Sequence, residues 1–227
     1  MNERRDEVAS ALGEVRARIQ AAVRASHREP SEVTLIAVTK TYPASDVKIL
    51  HDLGVRDFAE NRDHEGREKS AQVDGRWHFQ GQVQSNKISS IAKWAHVVHS
   101  LDDSRHVALL AKAVPVSKRM SVFIQVCLDP ALGRGGVLPN FIAPLAEIVS
   151  QCPSLKLEGL MTVAPLGENP ESAFSRLAQI HSDFRQQFPD SPSLSAGMSG
   201  DFEVAISHGA THLRIGSSIL GSRSHHG

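Results

Sequence analysis

Cysteine is scarce. The 227 residues carry two, Cys127 and Cys152, with no Cys-x-x-Cys spacing. That argues against a disulfide framework or a zinc ribbon and fits a reducing cytoplasm. Aromatic residues make up only 5%, and Tyr42 is the single tyrosine. There is no excess of either charge: 25 Lys and Arg balance 25 Asp and Glu. No net field draws the chain to polyanions, which disfavours nucleic acid or an anionic membrane as the main partner. No apolar run approaches the roughly 18 residues of a membrane span. The N-terminus, MNERRDEVASALGEVRARIQ, is charged and amphipathic and has no apolar core of a signal peptide. No Pro/Ser-rich linker, charge block or internal repeat marks a boundary, so residues 1–227 read as one domain.

Hydrophobic residues make up 41%, enough for a full core. Residues 3–26 read as a helix, with Val8, Leu12, Val15 and Ile19 at helical spacing. After it, strand-like and helix-like segments alternate from about 33 to 221. The strands are expected at 33–38, 55–59, 76–80, 96–99, 120–128, 155–161, 194–196 and 212–215. Eight βα units predict an α/β fold, a closed (βα)8 TIM-like barrel behind an extra N-terminal helix. An open doubly wound sheet is the alternative. The first turn, TKTYPAS, lacks the Gly-x-Gly-x-x-Gly of a dinucleotide-binding version.

In a closed barrel the functional groups sit at the carboxyl ends of the strands. The first strand, VTLIAV, runs into Thr39-Lys40. Alternation places Ile36, Val38 and Lys40 on one face, taken as the barrel interior. Burial lowers the pKa of a lysine and makes its amine a nucleophile able to condense with an aldehyde or ketone. A solvated charge at a strand end is the plainer alternative. Other strand tips carry Glu60-Asn61, His78 with Gln80, Ser100, Met161-Thr162, Ser195 and Arg214. Asn61 reads equally as a helix cap, and His78 as a satisfied core histidine. Arg214 within a strand needs a partner on either face.

The last two turns, LSAGMSGD and RIGSSILG, place Ser195, Gly197, Met198 and Ser199, then Gly216 and Ser217, where backbone N–H groups and hydroxyls can approach an anion. With Lys40 at the first strand, they suggest a phosphate-bearing carbonyl ligand. Pyridoxal 5′-phosphate fits, and a phosphorylated sugar in a lysine-dependent aldolase meets the same description.

The stretches LIAVTKTYPASDV, GVRDFAENR, WHFQGQVQSNK, VVHSLD, EGLMTVAP, LSAGMSGDFEVAI and LRIGSSILGSR resemble, in order, those of the pyridoxal-phosphate homeostasis proteins. That family's fold is like the barrel domain of alanine racemase. The resemblance implies that Lys40 carries the cofactor as an internal aldimine. It implies cofactor contacts from Asn61, His78, Met161, Ser195, Gly197, Met198, Ser199, Arg214, Gly216 and Ser217, the phosphate lying in the last two turns. There are departures: Thr39 stands where Ser is common, Ala196 where Met is usual, and CLDPALGRGG replaces a loop that usually carries Asn and an acidic residue. The Arg134–Gly136 part of that loop ranks as a second anion candidate.

The implied function is vitamin B6 homeostasis in the cytoplasm: buffering, storing or delivering the cofactor, with apo-enzymes as recipients, no metal, and a monomer or weak dimer. No catalytic turnover is expected. A racemase-like enzyme is the rival. Against it stand an arginine beside the ring nitrogen, a single tyrosine, and a chain ending after the eighth unit without a second domain. Lys87 is a second candidate amine.

Overall fold

The computed structural model describes residues 2–129 and 135–221. Eight parallel strands close in sequence order into a barrel: β1 (Thr34–Val38), β2 (Asp57–Glu60), β3 (Arg76–Phe79), β4 (Val97–Leu101), β5 (Met120–Gln125), β6 (Leu155–Met161), β7 (Ser193–Ser195) and β8 (His212–Ile215). The closing pair aligns Ile36 with Arg214 and Ala37 with Ile215. Around it run α1 (Asn2–Ala25), α2 (Ala44–Asp52), α3 (Asp63–Ser70), α4 (Ile88–Trp94), α5 (Ser104–Ala113), α6 (Ile142–Ser150), α7 (Pro170–Gln187), α8 (Phe202–Ser207) and α9 (Ser217–Leu220). The closed barrel holds and the open sheet falls.

Most expected elements stand within a few residues. The polar helix α3 is short, Asp63–Ser70. Gly66 in its middle is packed so closely under Trp94 that a Cβ would lie 2.3 Å from the indole ring, while a glycine interior weakens the helix.

Period-2 alternation sorts each strand onto two layers. Outward residues such as Ala37, Phe58, Trp77, Val98, Val122, Leu160 and Leu213 join buried helix residues in one continuous core between barrel and helices. Each fully buried large side chain there contributes about 1.5–3 kcal/mol. The N-terminal helix α1 adds Val8, Leu12, Val15 and Val23 from one stripe. Arg4 ties it to Asp46 at 2.7 Å and to the Leu220 carbonyl at 3.0 Å.

The barrel interior is different. It holds two small apolar clusters, Ile36 with Val38 and Ala59, and Val97 with Phe123 and Met161. The rest of the interior is polar. Among the described residues, no helix is long and apolar enough to cross a membrane.

Candidate functional site

The mouth forms where β1, β2, β7 and β8 end together. Gly216 stands so near β1 that a Cβ would lie 3.1 Å from the Val38 carbonyl oxygen. Gly197 adopts φ +91, and a Cβ there would press to 2.8 Å from the Ala205 methyl. The two turns are stitched together: the Ser218 N–H donates to Ser199 Oγ at 3.1 Å, and the Arg214 N–H donates to the Gly197 carbonyl at 3.0 Å. The N–H groups of Gly216 and Ser217 carry no hydrogen bond among the described residues. Ser217 is exposed and Ser199 half-buried. The Met198 N–H is already taken by Asp201 Oδ1 at 2.6 Å, and its side chain is exposed.

Lys40 departs from expectation. The strand stops at Val38, so the parity that holds Ile36 and Val38 inside does not extend to Lys40, which is exposed in the following turn. Its nucleophilicity cannot be argued from burial. What is buried is its support. Thr39 is fully buried and donates from Oγ1 to Glu60 Oε1 at 2.5 Å. Lys69, from α3, donates to the Thr39 carbonyl at 2.8 Å and to Glu60 Oε1 at 2.7 Å. It also reaches Glu65 Oε2 at 2.9 Å, and that same oxygen accepts from the Thr41 N–H at 2.8 Å. Desolvation pushes the Glu60 carboxyl up, against the hydrogen bonds of Lys69 and Thr39. Burial raises Glu65 too, but Lys69 and the Thr41 N–H outweigh it and leave that carboxyl low. Glu60 Oε2 is buried with no hydrogen-bond partner among the described residues.

Three expected ligand residues lie deeper than the mouth. His78 is buried with both ring nitrogens engaged, Nδ1 at 2.8 Å from His99 Nε2 and Nε2 at 2.9 Å from Asp57 Oδ1. Both partners are those of a satisfied core histidine. Ser195 is fully buried, with Oγ 2.9 Å from His99 Nδ1 and accepting from Arg214 at 2.6 Å. Its hydroxyl is held between these two groups. Met161 is buried against Phe123 and Val97.

Arg214 is buried and pairs with no carboxylate among the described residues. It donates to Ser195 Oγ and, at 2.7 Å, to the Thr162 carbonyl. Burial brings its pKa down to about 10. A guanidinium has five donors, so N–H groups remain for a ligand acceptor. Asn61 is not a helix cap; α3 begins two residues later. Its Oδ1 accepts from Gln80 at 3.0 Å, and Gly81 lies flush on its backbone, where a Cβ would stand 2.0 Å from the Asn61 carbonyl oxygen. Exposed Lys87 lines a separate 330 Å³ cleft with Asn61, His64 and Phe79. Arg134 lies outside the described residues. Gly136, the other end of that stretch, donates its N–H to Asp102 Oδ2 at 2.9 Å.

The sequence reading missed Asp57, His99, Glu65 and Lys69. His99 was findable, since it is two residues from Val97 and therefore on the same strand face. Lys69 was not, because Glu65 and Lys69 at helical i,i+4 spacing in a polar segment read as a solvated pair.

The donor set fits pyridoxal phosphate: an accessible primary amine, unengaged turn N–H groups with Ser199 and Ser217 hydroxyls, and a guanidinium with free donors between them. Comparison with known proteins agrees. The chain is 40% identical over 218 residues to the pyridoxal phosphate homeostasis protein of Corynebacterium glutamicum, covering 92% of this chain and 99% of that one. It is 38% identical over 244 residues to that of Mycobacterium tuberculosis, covering 97% and 95%. PipY of Synechococcus elongatus, solved with PLP bound, superposes with a TM-score of 0.82 at 29% identity, covering 94% of this chain and 100% of that one. Residues 11–224 match the alanine racemase N-terminal domain model, and the chain belongs to that family and, within it, to the pyridoxal phosphate homeostasis proteins.

Proposed function

We propose that this chain binds pyridoxal 5′-phosphate at the barrel mouth, attached at Lys40, and that it holds and passes on the cofactor in vitamin B6 homeostasis. The observation that carries the reading is the close approach of two strand ends. Gly216 rests on Val38, two residues before Lys40, which brings the turn that carries the amine near the open N–H groups after β8. When bound, the cofactor supplies an aldehyde that condenses with primary amines and a phosphate that anchors it.

The chain's own residues divide the work. Lys40 Nζ presents the amine, and its exposure leaves it open to exchange with an incoming amine. Gly216, Ser217 and Ser199 receive the phosphate, with Gly197 supplying the left-handed turn that brings β7 beside β8. Arg214 can only donate, so it favours an unprotonated ring nitrogen. A ring kept unprotonated is a weak electron sink, which suits a carrier better than an enzyme that must stabilise carbanions. Asn61, fixed by Gln80, borders the same mouth. Ser195, His78 and Met161 act from behind it. Recipients are apo-enzymes that need the cofactor.

The test is spectroscopic. Purified protein incubated with pyridoxal phosphate should show a visible absorbance band that borohydride removes, and should restore activity to an apo-enzyme mixed with it. A loaded protein that fails to reactivate any apo-enzyme faster than free cofactor does would defeat the delivery role.

A further inference from the structure

The barrel interior carries a row of polar side chains whose hydrogen bonds join end to end. Arg214, near the carboxyl end of β8, donates to Ser195 Oγ at 2.6 Å. Ser195 Oγ lies 2.9 Å from His99 Nδ1, and His99 Nε2 lies 2.8 Å from His78 Nδ1. His78 Nε2 lies 2.9 Å from Asp57 Oδ1, at the first residue of β2. Ser195 and His99 are fully buried and His78 nearly so, while the Asp57 side chain is 22% exposed. The row therefore starts at the mouth and ends at solvent on the opposite face of the barrel.

We propose that Asp57, His78, His99 and Ser195 form one oriented hydrogen-bond relay that positions Arg214 at the mouth from the far end of the barrel. The two ends set the direction. An ionised Asp57 only accepts, so His78 carries its proton on Nε2. A neutral His78 then offers a lone pair at Nδ1, which requires His99 to carry its proton on Nε2. His99 Nδ1 in turn accepts, and takes the Ser195 hydroxyl proton. Ser195 Oγ is left with lone pairs for Arg214, which has only donors. No link is left without a donor or an acceptor.

The opposite orientation requires an imidazolium at His78, and burial disfavours it. The groups facing His78 are Asp57, Arg76 and His99. Those facing His99 are His78, Ser195, Arg214, His212 and Arg76, with Phe123 stacked on its ring at 4.6 Å. Burial leads and Arg76 adds to the lowering at both histidines; Asp57 opposes it at His78. Both rings are therefore neutral at pH 7, and the orientation follows.

None of the three residues Asp57, His78 and His99 touches the mouth, so they are positioning residues. Their effect on the cofactor rests on the binding proposed above, whereas the relay itself does not. The experiment is nitrogen-15 NMR of the imidazoles in cofactor-free protein at pH 7. Both His78 and His99 should appear as neutral Nε2–H tautomers. Asp57→Asn, whose carbonyl oxygen still accepts, should preserve them. Asp57→Ala should release both rings into tautomer mixtures, and should weaken pyridoxal phosphate binding about three- to tenfold, the worth of one hydrogen bond. Should Asp57→Ala not fold, Ser195→Ala reads the other end: the His99 Nδ1 resonance should move to that of an unbonded lone pair while His78 stays unchanged. An Nδ1–H tautomer or an imidazolium at either ring of the parent protein overturns the relay, as does a folded Asp57→Ala protein with both tautomers intact. If the tautomers are as stated but the parent protein takes up no pyridoxal phosphate, the relay stands and the binding proposal fails.

Discussion

Lys69 Nζ donates to the carbonyl oxygen of Thr39 at 2.8 Å, so the residue before Lys40 hangs from α3. On the other side of Lys40, the Thr41 N–H donates to Glu65, and Glu65 accepts from the same ammonium. Thr41 has φ 68, which a β-branched residue adopts only when its surroundings impose it. An exposed lysine is thus carried on a backbone clamped from both sides. Lys69→Met should leave Glu60 buried without its cation and lower stability by about 3–5 kcal/mol. Adding Glu60→Gln removes the stranded charge and should recover part of that loss. Thermal melts of the single and double variants check this, and equal melting temperatures for all three proteins would refute it.

Lys40 itself should be dispensable for folding. It is exposed and makes no hydrogen bond among the described residues. Lys40→Ala should change stability by no more than about 0.5 kcal/mol, as for surface substitutions generally. It should abolish the borohydride-sensitive visible band of the loaded protein. A band of undiminished intensity would move the attachment to another amine, with Lys87 the first to test.

The barrel was legible in the sequence because its eight strands alternate with helices at short spacing and its outward strand residues are apolar. The motif positions were legible as well. Their depth was not. His78, Ser195 and Met161 lie on interior strand faces, but sequence says which face a residue takes and not how far below the mouth it sits. Lys40 shows the converse: period 2 holds only while the strand continues, and the strand read from the sequence already ends at Val38, two residues short of Lys40. The clamp depends on a long-range bond from Lys69 to Thr39, which no local pattern encodes.

The phosphate should sit between the Ser199 and Gly216–Ser217 turns. A crystal structure with cofactor, sulfate or phosphate should show an anion oxygen about 2.7–3.2 Å from the Gly216 or Ser217 N–H or from the Ser199 or Ser217 hydroxyl. Ser195 Oγ should remain on His99 and Arg214. Gly216→Val should weaken cofactor binding, because a Cβ already meets the Val38 carbonyl at 3.1 Å and the added methyls project into the turn. An anion held at residues 134–136 instead would sink the assignment.

Acid should destabilise the fold through buried histidines. Burial first, with Arg185 adding, lowers His181 from 6.5 to about 4. Burial, with His78 and Arg76, does the same to His212, to about 4. Between these values the unfolded chain binds more protons than the native one, so stability rises with pH. Their contribution is complete above about 6.5 and is lost as pH falls toward about 4. His78 and His99 act in the same direction. Asp103, held low by Arg105, contributes only below this window, between 3.8 and about 2. Melting temperature should fall steadily from pH 7 to pH 4, and His181→Leu should flatten the slope. A flat profile over that range in the parent protein would contradict it.

The chain should not turn over amino acids at an enzymatic rate. Carbanion chemistry on pyridoxal phosphate needs an electron-poor ring and a group placed to move a proton at the substrate carbon. Arg214, placed beside the ring as proposed, would offer it only donors. The histidines nearest to it in the hydrogen-bond network are occupied: His99 by Ser195 and His78, and His78 by Asp57. The one tyrosine hydroxyl, of Tyr42, is 2.5 Å from the Gly221 carbonyl, to which it donates. Lys40 is an exposed amine in the turn after β1, and a cofactor attached there as proposed would occupy it until an incoming amine displaced it. Exchange of the cofactor is then the reaction these groups favour. A screen of L- and D-amino acids for racemisation, decarboxylation and transamination, run beside a transfer assay to an apo-enzyme, separates the two outcomes. Transfer without turnover is expected. A kcat of about 1 s⁻¹ or more on any amino acid, within the ordinary enzyme range, would establish a catalyst in place of a carrier.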